Sequence, residues 1–233
     1  MSALWGTIVN TIAIVVASLL GLVVPKMQES MHRTVVQGLG IFTSVLGVSM
    51  AIKSDRILFM AISLVLGAVL GEALRLEDRL EAVGRRLERR VGKDGRGEVG
   101  KAFVTASLIF CIGAMAILGP IDGAVRHNYD LLYTKSLMDG FLAIILTSTL
   151  GIGVIFSAIA VLLYQGMIGL AAGGITSLFT ASAVDIVSGE MAAIGGVLII
   201  GVGINLLGFM KVKVANMLPA VLIMAVLTSI AIS

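Results

Sequence analysis

From Leu4 to Val24 the chain carries no charged side chain, and runs of the same kind recur along most of its length. Hydrocarbon offers no hydrogen-bond partners, so a segment inside it must satisfy its own backbone, and roughly 20 apolar residues at the helical rise cross the core. A membrane β-strand would alternate apolar and polar residues over about ten positions. Residues 4–24 and 197–207 show no such alternation. The chain is therefore read as an all-α, polytopic helical membrane bundle. Apolar residues make up 58% of it and the mean hydropathy is +1.07, which leaves residues 75–101 as its one stretch of soluble character. That stretch is too short for a separate catalytic domain.

Eight spans are expected, at roughly residues 3–24, 35–52, 57–74, 102–118, 136–150, 153–172, 187–207 and 214–232. The first has no basic residue before it and no small-residue cleavage pattern behind it, so it is read as a span and not as a secretory signal. The fifth and sixth meet at Gly151-Ile152-Gly153. This is either a turn between two helices or a break in one tilted helix, the latter giving about seven spans. By chain order the organisation is residues 1–74 with three spans, 75–101 as a basic segment, and 102–233 with four or five spans.

Short loops rich in Lys and Arg stay on the cytoplasmic side, and residues 75–101 hold nine of the 17 such residues. Counting outward from that loop puts both termini outside, in a cell or inner membrane. Lys26, Arg33, Lys211 and Lys213 then fall inside, giving thirteen basic residues against eight acids there and four against six outside. An acidic outer mouth concentrates cations, although topology alone also keeps Lys and Arg inside.

Leu76, Leu80, Val83, Leu87 and Val91 recur at helical spacing, so the third span is expected to continue as an amphipathic cytoplasmic helix over 76–91. Its Arg-rich face suits anionic head groups, a copy of itself, or simple solvation. The glycine-rich stretch 92–100 spells G-x-G-x-x-G at Gly95, Gly97 and Gly100, but no strand precedes it, so a dinucleotide site is excluded by context. A weak internal repeat is visible between residues 64–71 and 198–205, in a composition where Gly/Leu/Val helices resemble one another anyway.

Metal and nucleophile chemistry find no support. One Cys, Cys111, and two distant His, His32 and His127, cannot make a zinc site. There is no H-E-x-x-H or G-x-S-x-G, so no enzyme, no cofactor and no metal are expected, nor is nucleic acid as a partner. Cys111 reads as a small buried filler.

Ionisable residues within spans cost about 2.5–3.5 kcal/mol each on insertion scales, so those that persist line a cavity or find a partner. Asp139 and Glu190 are the candidates. Lys135 stands four residues before Asp139, which also permits a local ion pair. Further along lie Thr147, Ser148 and Thr149, hydroxyls that coordinate an ion or bond back to the helix. Glu190, Val197, Gly201 and Asn205 share one helix face, and Asn10 and Gln165 extend the polar set. These amides serve as ligands or as interhelical glue. Gly119-Pro120 is expected to end a span with Asp122 just beyond it, and residues 173–185 are expected to be interfacial or re-entrant. Gly67/Gly71, Gly169/Gly173 and Ala192/Gly196 mark close helix packing, within the chain or in a homo-oligomer.

Gly119-Pro-Ile-Asp-Gly, Ser136-Leu-Met-Asp-Gly, Ser148-Thr-Leu-Gly-Ile-Gly and Tyr164-Gln-Gly, with the Gly-rich seventh span, are together similar to the YqgA/YdfK-like family of prokaryotic membrane proteins of unknown function. The resemblance covers essentially the whole chain. It implies a multi-span, transport-related inner-membrane protein and names no substrate. The leading expectation is a secondary transporter of a small solute, a cation or a cation-coupled substrate, with its site among Asp139, Glu190, Thr147, Thr149, Asn205, Asn10 and Asp122. The alternatives are a scaffold or sensor acting through the 76–91 helix, or an ion channel.

Overall fold

A computed structural model describes residues 4–24, 28–91 and 98–232, with the side chains of 87, 88, 90, 91, 176 and 178 outside the description. Lys26, the linker 92–97 and the Leu87 and Val91 part of the apolar stripe therefore lie outside the described residues. Among the described residues all regular structure is helical. Ten α-helices follow one another: α1 (Trp5–Val23), α2 (Glu29–Ala51), α3 (Ile57–Ala73), α4 (Leu76–Val91), α5 (Glu98–Cys111), α6 (Ala114–Val125), α7 (Asp130–Leu150), α8 (Ser157–Leu178), α9 (Ala181–Leu207) and α10 (Pro219–Ile232). Six candidate spans stand alone by length and composition, and two bent pairs, α3 with α4 and α5 with α6, raise the number to eight. Large apolar side chains such as Ile41, Val45, Leu137 and Leu170 face outward, as a hydrocarbon solvent allows.

The chain packs into two compact units that interleave along the sequence. The first comprises residues 1–27, 81–111 and 115–179, the second 28–80, 112–114 and 180–233. The strings 64–71 and 198–205 both fall in the second unit, so they are not one copy in each.

In the first unit α1 runs parallel to α7. A Cβ on Gly6 would meet Leu132, and one on Gly21 would stand 2.7 Å from the Ile144 carbonyl oxygen, so these helices approach at their glycines. Gly151 adopts φ +87°, which glycine tolerates and other residues rarely do, and a 3-10 turn at Ile152–Phe156 leads into α8. The chain reverses there. Asn10 of α1 reaches both Asp139 on α7 and Gln165 on α8, so those two residues stand at one height on either side of the turn. Of the two readings of Gly151-Ile152-Gly153, the structure has the turn between two helices.

In the second unit α2 lies antiparallel to α9, Gly47 meeting Gly196 and Gly40 meeting Gly203, while α3 lies antiparallel to α10 with Gly67 against Ala220. Ile194, Ala220 and Met224 form a buried apolar cluster there. Gly67, Gly71 and Gly196 are thus used in packing within the chain.

Three local expectations are corrected. The third span does not continue straight into the amphipathic helix: Arg75 takes a left-handed φ of +51° and α4 turns by 58°. The bend is fastened by hydrogen bonds to the 3-10 turn Val214–Met217, where Asn216 Oδ1 accepts the Glu77 N–H at 2.7 Å and Glu77 Oε2 accepts the Ala215 N–H at 3.0 Å. Gly119-Pro120 does not end a span, because Pro120 is buried inside α6, where the missing N–H forfeits one helix bond without stopping the helix. The real interruption lies upstream at Gly113, with φ +148° and a 61° bend between α5 and α6. Residues 173–185 are not a re-entrant segment but two helix ends. Thr180, between α8 and α9, accepts the Ala183 N–H at 3.2 Å and caps α9.

Candidate functional site

The buried face of α1 is unusually polar for a membrane helix. Gly6, Thr7, Asn10, Ile14, Ala17, Ser18 and Gly21 lie on it, and Thr7, Asn10 and Ser18 are wholly buried. Spacing of three and four residues puts these groups on one stripe, and the small residues among them let α7 come close enough for side chains to meet.

Facing this stripe, α7 presents Lys135 and Asp139. Their side chains are 9% and 6% exposed and form an ion pair, with Lys135 Nζ 2.8 Å from Asp139 Oδ2 and donating to Oδ1 at 3.0 Å. Asn10 Nδ2 donates to Asp139 Oδ2 at 3.1 Å and approaches Gln165 Oε1 at 3.5 Å. One carboxylate is thus held by an ammonium along its own helix and by an amide from another helix. The opposite ends of both amides, Asn10 Oδ1 and Gln165 Nε2, have no hydrogen-bonding partner among the described residues, and the same holds for Thr7 Oγ1. Buried polar groups are nearly always paired, so these unused atoms distinguish the cluster from a closed polar network.

At one end of α1 and α7, Trp5 Nε1 donates to Tyr133 Oη at 3.2 Å, and Tyr133 also contacts the Tyr129 ring. Trp and Tyr favour the membrane–water boundary. At 1.5 Å per residue, Asn10 and Asp139 lie roughly 7 to 9 Å deeper along their helices. The last residue of α5, Cys111, is an electrostatic neighbour of Lys135 and Asp139, and Tyr164 of Cys111. Helix α5, which packs against α7, thus ends near the cluster at the break at Gly113.

The other expected site residues are placed as follows. Thr147 is buried with its hydroxyl unpartnered and its Cβ against Gly21. Thr149 Oγ1 donates to the Ile145 carbonyl at 2.7 Å. Asp122 pairs with the exposed Arg126 at 2.8 Å. In the second unit, Glu190 accepts the Ser54 hydroxyl at 2.5 Å and the Asp55 N–H at 3.1 Å. Asn205 spans a loop, donating to the Val212 carbonyl at 2.9 Å and accepting the Val212 N–H at 2.7 Å. The structure thus brings Asn10 and Asp139 together and adds Lys135 and Gln165 to them. Thr7 and the position of Cys111 were not singled out from sequence, and Tyr164 entered only through the family resemblance. The spacing of Thr7, Asn10 and Ser18 was the signal that could have found the first.

The family model described as "Protein of unknown function (DUF554)" matches residues 5–229. The uncharacterized membrane protein YdfK of Bacillus subtilis is 31% identical over 94% of this chain and 93% of its own length. The uncharacterized protein YqgA of Escherichia coli is 26% identical over the same shares of the two chains. No solved structure gives a significant match.

Proposed function

Since the chain belongs to the DUF554 family, whose description names no activity, we propose from its chemistry that this membrane protein is a secondary transporter of a small solute, a cation or a cation-coupled substrate. The observation that carries the reading is the buried Lys135–Asp139 pair with Asn10 bonded to it and Gln165 next to Asn10, each amide having one end unused among the described residues. A purely structural cluster would be served better by apolar packing, because taking both charges out of water costs several kcal/mol per ion. The adjoining helix break supports the same reading, since discontinuous helices are a recurrent way of building solute sites in transporters. Glu190 is left out of the proposed site because both its oxygens serve the Ser54–Asp55 turn. The protein is taken to sit in the cell's inner membrane with residues 75–101 cytoplasmic and both termini outside, following the distribution of basic residues.

The test is flux in proteoliposomes. Saturable, gradient-driven uptake that Asp139→Asn abolishes at unchanged protein insertion is the expected result. Ohmic current under voltage clamp would make the protein a channel. Absence of both, with a partner retained by the 76–91 helix, would favour a scaffold.

A further inference from the structure

We infer that the solute taken at this site is a small zwitterion, carrying an ammonium and a carboxylate about one carbon apart. The inference rests on the transporter reading and adds the substrate class. It follows from what each kind of solute would do to the ion pair. Lys135 and Asp139 are each the other's counter-charge, 2.8 Å apart. The polar groups beside them are uncharged: Asn10 on α1, with Gln165 of α8 next to it, and Cys111 on α5. No described residue of α1 is ionisable, and on α6 Asp122 is already paired with Arg126.

A bare cation that displaced the ammonium from Asp139 would strand Lys135 in a low-dielectric site, and a bare anion would strand Asp139. A zwitterion leaves neither alone. Its carboxylate takes Lys135, its ammonium takes Asp139, and the site stays neutral throughout the exchange. No proton or electron moves and no covalent bond changes. The unused ends of the amides complete the match, because Asn10 Oδ1 is an acceptor for an ammonium and Gln165 Nε2 a donor to a carboxylate, both on fully buried residues. Beside the cluster α1 leaves room for a methyl group. A Cβ at Gly140, next to Asp139, would meet nothing closer than 3.8 Å, and one at Gly166, next to Gln165, nothing closer than 3.9 Å. Gly6 and Gly21, further along the same helix, have no such room.

The experiment uses purified full-length protein in detergent and in proteoliposomes. The probes are glycine, L-alanine, L-serine, L-valine and L-proline, each with its carboxamide, a cation, and its N-acetyl derivative, an anion. Binding is followed by thermal shift and by competition with the radiolabelled amino acid. At least one amino acid is expected to bind, and both of its singly charged derivatives to bind about tenfold or more weakly, the loss of one charge-assisted hydrogen-bonded partner. Asp139→Asn should narrow the gap to the N-acetyl derivative, and Lys135→Gln the gap to the carboxamide. The double variant, which keeps volume and neutrality, should fold and bind none. Failure of all five amino acids, or carboxamides binding as well as amino acids, overturns the zwitterion. Saturable Asp139-dependent cation flux in that case would leave the transporter reading standing, whereas absence of any flux would remove both.

Discussion

The carboxylate of Glu190 accepts the hydroxyl of Ser54 at 2.5 Å across 136 residues of chain, and its second oxygen takes the N–H of Asp55. Ser54 in turn accepts the Arg56 N–H at 3.0 Å. A buried acid that on sequence grounds ranks with Asp139 is therefore the clasp of the turn between α2 and α3. Glu190→Ala should lower stability in detergent by about 1–3 kcal/mol, the cost of leaving buried donors unmet, seen as a lower thermal midpoint. Glu190→Gln should retain uptake. Loss of uptake in Glu190→Gln at an unchanged midpoint would return this residue to the transport site.

For the Lys135–Asp139 pair the single variants differ from the double. Asp139→Asn or Lys135→Gln alone leaves a buried charge uncompensated and should cost about 3–5 kcal/mol. The double variant should recover most of that loss in thermal unfolding, because no stranded charge remains. Uptake should not return with it. If stability and uptake recover together, the pair serves folding alone.

Backbone contact at glycine gives a sharper structural test. A Cβ on Gly47 would lie 2.5 Å from the Gly196 carbonyl oxygen, whereas one on Gly38 of the same helix meets nothing within 4 Å. Gly47→Ala should destabilise by about 1–3 kcal/mol through overpacking. Gly38→Ala should be neutral or slightly stabilising, since alanine favours the helix. Equal midpoints for the two would show that α2 and α9 are not in backbone contact at Gly47.

At the α3–α4 bend, Asn216 accepts the Glu77 N–H and donates to Glu72 Oε2 at 2.5 Å, while Lys213 pairs with Glu72 at 2.8 Å. Asn216→Ala should therefore speed hydrogen exchange at the Glu77 amide and in the first turn of α4, leaving the middle of α3 unchanged. Unchanged exchange at Glu77 would mean that the bend is held by Arg75 alone.

The membrane orientation can be checked by cysteine labelling in a Cys111→Ser background. Cysteine at Ser2 or Ser233 should react with an impermeant reagent added outside, and cysteine at Gly95 should not. External labelling at Gly95 would invert the assignment drawn from the basic loop.

Much of the fold was legible in the chain because span detection needs only local information. Helix content, the number of candidate spans and the amphipathic nature of α4 follow from apolar runs and their spacing. The errors lie where a local signal has two outcomes. Pro120 reads as a terminus, yet its neighbours keep the helix going, while Gly113, an unremarkable glycine in sequence, takes the φ of +148° that breaks it. Residues 173–185 read as interfacial or re-entrant, and the re-entrant reading fails because Thr180 supplies a cap that lets α9 begin at once.

What the sequence determined by itself is that this is a helical membrane protein. Each segment in hydrocarbon must satisfy its own backbone whatever its neighbours do, so composition settles the matter segment by segment. What only the tertiary structure decided is which polar side chains meet. Asp139 and Glu190 carry the same charge and the same cost of burial, but one meets an ammonium and an amide and the other a turn. Asn10 finds Asp139 and Gln165 at separations of 129 and 155 residues. Those encounters depend on where the glycines of α1 let α7 approach and on the reversal at Gly151, geometry that no single helix carries.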